Sequence, residues 1–141
     1  MLYLDMDGVL CDFDGAFEQL TGKHIRQFVM TSEHSDDYWR VIDRQEHFWD
    51  TLPRIMTHED WLRLNVLADQ YDQTICILSK PTTYKSNYTK CIDGKNVWLD
   101  RELGNKVPRI YAYDKSKYAY TPDGKRNVLI DDYGVNIKAW D

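Results

Sequence analysis

An α/β fold built on a parallel sheet is the architecture this sequence predicts, and three observations carry the prediction. Short apolar runs of strand length alternate with longer stretches of helical spacing, the pattern of units that pair strands in parallel. Polar residues gather just past the ends of those runs: Asp5 and Asp7, Ser79, Lys115, then Asp131 and Asp132. In open α/β sheets that carboxyl edge is where ligands bind. The length, 141 residues, suits one compact domain with a small insertion.

The elements follow in order. Leu2 to about Asp5 reads as a buried strand, and Gly8 lets the chain curl back after it because glycine has no Cβ. Phe13, Phe17 and Leu20 fall at helical spacing. From Thr21 to about Asp72 the pattern is helical and aromatic, with helix starts expected at Ser35-Asp36-Asp37 and at Thr57-His58-Glu59-Asp60. Trp61, Leu64, Leu67, Ala68 and Tyr71 give the latter helix an apolar face. Thr74 to Leu78 is a second buried strand. A helical stretch from about Tyr84 to Leu103 is expected to break at Gly94 and to stop at Gly104-Asn105. Arg109 to Tyr113 and Asn127 to Ile130 read as the third and fourth strands, with a turn at Pro122-Asp123-Gly124 between them. A short helix from about Val135 ends the sequence. The expected division is an α/β core over 1–20 and 73–141, Rossmann-like with helices on both faces, and a small helical cap over 21–72.

Composition narrows the function classes. A net charge of −5 argues against a broad footprint on duplex nucleic acid. Cys11, Cys76 and Cys91 form no C-x-x-C pair and read as reduced thiols of a cytoplasmic protein. No apolar stretch is long enough for a bilayer, and the amino terminus runs straight into a strand, so neither a membrane span nor a signal peptide is expected. P-loop and dinucleotide-binding glycine patterns are missing from the sequence, and its four histidines show no metal-ligand spacing.

Asp5-Met6-Asp7-Gly8-Val9-Leu10 is the most informative segment. Charged groups at the end of a buried strand are costly unless compensated, and a metal ion with a phosphate would compensate them. Carboxylates that converge repel one another and take up protons. A hard dication with oxygen ligands removes that penalty, and Mg²⁺ suits a site beside phosphate. The segment resembles the first motif of the haloacid dehalogenase superfamily of phosphotransferases, D-x-D-G-x followed by an apolar residue. Ser79 after its strand is similar to the second motif, a lysine to the third, and Asp131-Asp132 after Val128-Leu129-Ile130 to the fourth.

That resemblance implies phosphoryl transfer through an aspartyl phosphate. Asp5 would be the nucleophile and Asp7 the general acid and base. Ser79 would bond a phosphoryl oxygen. The implied metal ligands are the Asp5 carboxylate, the Asp7 carbonyl and Asp132, with Asp131 behind or bridged by water. Lys115 is favoured as the lysine because it follows a strand. Lys95, on a helix, is its rival, and Lys117 and Lys80 are further candidates.

Within the superfamily the sequence is most similar to the 5'(3')-deoxyribonucleotidases. The likeness rests on Asp5 to Phe17, Tyr38-Trp39, Phe48-Trp49 before Leu52-Pro53, Asp114-Lys115-Ser116 and Leu129 to Asp132. It implies a Mg²⁺-dependent phosphatase for nucleoside monophosphates, with Phe13, Tyr38, Trp39 and Trp49 around the base and Ser79 and Lys80 near the phosphate. The same rings would serve equally as the core of the helical insertion, and the sequence leaves both readings open. Three features depart from that family: Lys80 separates Ser79 from Pro81, the stretch from Lys115 to Asp131 is longer, and the sequence stops at Asp141. A phosphatase for another small phosphoester or a nucleic-acid terminal phosphate, and a non-catalytic binding domain, are the alternative readings. A homodimer through an exposed aromatic cap is compatible with the sequence.

Overall fold

The computed structural model describes residues 1–34 and 36–141; Ser35, expected at a helix start, lies outside the described residues. The fold is α/β. Four strands, β1 (Leu2–Leu4), β2 (Ile75–Ser79), β3 (Arg109–Tyr111) and β4 (Val128–Ile130), form an all-parallel sheet in the order β3-β2-β1-β4. The helices among the described residues are α1 (Phe13–Thr21), α2 (Ile25–Thr31), α3 (Asp37–Asp43), α4 (His58–Gln70), α5 (Tyr88–Leu103) and α6 (Gly134–Trp140). No helix of the described residues is long and apolar enough to cross a membrane.

The chain divides into two compact units. A sheet unit comprises Met1–Cys11, Arg54–Lys80 and Lys106–Asp141, and a helical unit comprises Asp12–Pro53 and Pro81–Asn105. These bounds differ from the sequence-based ones: α1 and α5 group with the helical segment, and α4 groups with the strands.

In the sheet unit, β1 pairs with β2 on one side and β4 on the other, with Leu4 opposite both Ile77 and Ile130. The chain moves outward from β1 to β2 and β3, then returns to lay β4 on the far side of β1. The connections therefore diverge between β1 and β4, which makes the crevice beyond their carboxyl ends the topological switch point. Side chains alternate across a strand. Tyr3, Cys76, Leu78 and Leu129 accordingly share one face, and they pack with Tyr118, Ala119 and Trp140 from the 3₁₀ turn Lys115–Tyr118 and from α6. Tyr3 meets Tyr118 and Trp140 edge-on at 5.9 and 5.8 Å. Trp140 Nε1 also donates to the Asn127 carbonyl at 3.2 Å. Thr57 caps α4 as its sequence predicted, its hydroxyl accepting from the Asp60 amide at 3.1 Å.

The helical unit is held by aromatic rings. Phe13 packs against Phe48 and Trp49 at 5.5 Å each and against Trp39 at 6.2 Å, and Tyr38 and Trp39 lie 4.4 Å apart. Trp98 Nε1 donates to the Leu52 carbonyl at 2.7 Å, and Lys90 caps the end of α3 through the Asp43 carbonyl at 2.8 Å. The expected break at Gly94 does not occur, and α5 runs through it unbroken. A Cβ at Gly94 would lie 2.5 Å from Trp49 Cβ, so the glycine is there to let the helix approach residue 49 and not to end the helix.

Candidate active site

The register of the sheet brings two acidic residues together. Leu4 and Ile130 are partners on neighbouring strands, and Asp5 and Asp131 are the residues that follow them. The Asp5 amide donates to the Ile130 carbonyl at 2.9 Å, which fixes this alignment at the strand ends. Asp5 shares the face of Tyr3, and Asp131 that of Leu129, so the alternation of the strands directs both towards the 3₁₀ turn and α6.

That turn supplies the cation. Asp114 caps it, accepting from the Ser116 amide at 3.1 Å and the Ser116 hydroxyl at 2.6 Å, while Tyr118 and Ala119 anchor it in the core. Lys115, only 3% exposed, places its ammonium 2.9 Å from Asp5 Oδ1 and 2.6 Å from Asp131 Oδ2. Of the four candidate lysines, this is the one seated on the acidic pair. Lys95 belongs to the helical unit, where it is buried with its ammonium 5.3 Å from the centre of the Trp49 ring. Lys80 and Lys117 are exposed.

Asp5 is 7% exposed. Its own neighbour helps hold it, the Met6 amide donating to Asp5 Oδ1 at 2.7 Å. Burial pushes the carboxyl up to about 6, with Asp7 and Asp131 adding to the rise and Lys115 opposing it. One lysine therefore does not neutralise the site. Asp131 accepts from three donors: Tyr133 N reaches Oδ1 at 2.9 Å, and Asn136 Nδ2 joins Lys115 on Oδ2 at 2.9 Å. Asp132 is exposed and lies against Gly8, where a Cβ would overlap its carboxylate. Gly8 has φ +79°, a left-handed conformation that suits glycine. Its amide donates to the Cys11 carbonyl at 2.8 Å, and the Met6 carbonyl accepts from Leu10 N at 2.8 Å. This tight turn holds Asp7, whose Oδ1 accepts from the Cys11 thiol at 3.6 Å.

Ligand oxygens of Asp5, Asp131 and Asp132 all lie within 4.8 Å of one another. A set of hard carboxylate oxygens with a charge deficit fits a divalent cation of the Mg²⁺ or Ca²⁺ kind. Ser79, fully buried, ends β2 and its carbonyl accepts from Ala112 N at 3.0 Å. The aromatic candidates lie in the helical unit: Phe13, Tyr38 and Trp39 keep part of their surface exposed, whereas Trp49 is 2% exposed. Sequence reasoning missed Asn136, the Tyr133 amide and the Cys11 thiol. An asparagine near the start of a short helix carries no pattern that marks it in advance, and a backbone amide carries none at all.

No protein-family model matches the chain, and no curated protein matches it significantly.

Proposed function

We propose that the protein is a Mg²⁺-dependent phosphatase of nucleoside monophosphates that works through an aspartyl phosphate on Asp5. The observation that carries the proposal is the Lys115 ammonium shared between Asp5 and Asp131, at the switch point of a parallel sheet, with Asp132 beside it. A structural ion pair needs one carboxylate for one lysine. A cation set between two carboxylates, with a third at hand, suits a site that must receive a phosphate and a dication.

The Asp5 carboxylate attacks phosphorus and the bond to the ester oxygen breaks. Asp7 gives its proton to the departing alcohol. The Asp7 carboxylate then takes a proton from water, the water oxygen attacks phosphorus, and Asp5 leaves as the free carboxylate. Lys115 neutralises phosphoryl charge and orients Asp5, and the buried Ser79 hydroxyl is a candidate partner for a phosphoryl oxygen. Asp5, the Asp7 carbonyl and Asp132 would hold the dication, which supplies charge neutralisation at the phosphate when bound. The nucleotide part of the proposal rests on the sequence likeness, which names Phe13, Tyr38 and Trp39 as the rings for a base; stacking of that kind tolerates different bases. The buried Trp49 serves the packing of its unit.

The test is phosphate release from a panel of 5'- and 3'-nucleoside monophosphates, sugar phosphates and oligonucleotide ends, with and without Mg²⁺. Mg²⁺-dependent release favouring the mononucleotides, abolished by Asp5→Asn, is the expected result. Equal or faster turnover of sugar phosphates or oligonucleotide ends overturns the nucleotide reading. Unaltered hydrolysis in Asp5→Asn overturns the covalent mechanism.

A further inference from the structure

We infer that Asn136 is a positioning residue that fixes the Asp131 carboxylate as the anchor of Lys115. The consequence for turnover rests on the phosphatase reading above, whereas the positioning itself does not. Asp131 receives donors from three separate segments: Lys115 in the 3₁₀ turn, the Tyr133 amide just after β4, and the Asn136 amide in α6. Two of them, Lys115 Nζ at 2.6 Å and Asn136 Nδ2 at 2.9 Å, share the same oxygen, Oδ2.

The geometry follows from the helix. Asn136 and Trp140 are four residues apart and so lie on one face of α6. Trp140 is buried against the sheet and ties down that face, which turns Asn136 towards the strand ends. Its outward neighbours Val135 and Ile137 are both exposed. Asn136 thus occupies the inward position nearest the acidic pair, where an apolar residue would pack as well but donate nothing.

The Tyr133 amide holds Oδ1 of Asp131. The Asn136 amide holds Oδ2, the oxygen that seats Lys115, whose ammonium also lies 2.9 Å from Asp5. The amide is neutral, so it steadies Asp131 without competing with Lys115 for charge. A carboxylate at 136 would instead set a like charge against Asp131.

The experiment compares Asn136→Leu, which keeps the volume and loses the donor, with Asn136→Asp, which keeps the shape and loses the donor, and with Asn136→Gln, which keeps an amide. Two readouts are taken on the full chain: steady-state phosphate release, and the ¹H–¹⁵N signal of the Lys115 ammonium in metal-free protein. Loss of a group that orients an active-site partner typically costs 10–100-fold. The expected result is a fall of that order in kcat with KM within about threefold, a shifted or broadened ammonium signal for Leu and Asp, and partial recovery of both in Gln. If Leu does not fold, Asn136→Ala, which loses the donor and adds no charge, decides the matter. A variant lacking the donor that keeps both its kcat and its ammonium signal overturns the inference, as does a loss of turnover with the signal unmoved. Should the wild-type protein release no phosphate from any ester, the phosphatase reading fails and the ammonium signal alone judges Asn136.

Discussion

Asp5→Asn is expected to stabilise the metal-free protein at neutral pH while destroying its activity. Burial raises the folded-state carboxyl from 3.8 to about 6, so the folded chain holds a proton at Asp5 more tightly than the unfolded chain does. Stability falls with rising pH wherever the folded state binds more protons. The ionised Asp5 therefore costs nothing below about pH 4, costs progressively more up to about pH 6, and costs its full amount above that. The gap between 3.8 and about 6 corresponds to on the order of 3 kcal/mol as an upper bound. In a chain of 141 residues that is up to about 9 °C in Tm. Asparagine mimics the protonated acid and keeps an Oδ1 acceptor for the Met6 amide and for Lys115. Thermal melts of both proteins in chelator at pH 4.5 and 7.5 test this, because the difference between them cancels the other titrating groups. The variant should be the more stable at pH 7.5, and at pH 4.5 its advantage should shrink to about a third of that. A variant less stable at pH 7.5, or a gap that persists unchanged in acid, refutes the reasoning. Mg²⁺ should narrow the gap at pH 7.5 by stabilising the wild-type protein alone.

Three further outcomes are expected. Gly8→Ala forces a left-handed backbone onto alanine, at about 1–2 kcal/mol, and drives its Cβ into the Asp132 carboxylate; divalent-ion affinity measured by calorimetry should drop at least about tenfold, as for displaced outer partners of metal sites. Unchanged affinity would remove Asp132 from the ligand set. Lys115→Met strands the buried Asp5 and Asp131 without their cation and should cost about 3–5 kcal/mol in urea unfolding at pH 7.5, less at pH 5 where Asp5 takes up a proton. Gly94→Ala gains about 1 kcal/mol of helix propensity but sets a Cβ 2.5 Å from Trp49 Cβ, so urea unfolding should show a net loss of about 1–3 kcal/mol from overpacking.

The strand ends were the legible part of this protein. Apolar runs of four or five residues closed by acid or serine reported both the parallel sheet and the edge at which Asp5, Ser79 and Asp131 emerge; the burial such runs suggest holds for β2 and most of β1, whereas Val128 and Ile130 of the edge strand β4 are exposed. Placing Lys115 ahead of Lys95 was also within reach, since a residue just past a strand sits at that edge and a helix face seldom does. Gly94 misled because its low helix propensity signals a break, while the close approach of residue 49 that requires it is a tertiary fact. The grouping of α1 and α5 with the helical segment was hidden for a similar reason: periodicity says which face of a helix is apolar and is silent about what that face meets. Asn136 was illegible because its value comes from a distance to Asp131, and nothing in the intervening residues encodes that distance.

The alignment of β1 with β4 has a consequence for how activity can be lost. Alternation along a strand has a period of two, so sliding either strand by a single residue would send one carboxylate to the opposite side of the sheet. No half-aligned arrangement keeps Asp5 and Asp131 on a common lysine. Damage that loosens the pairing should therefore silence molecules one by one, leaving a shrinking population of fully competent copies instead of a uniform population of sluggish ones.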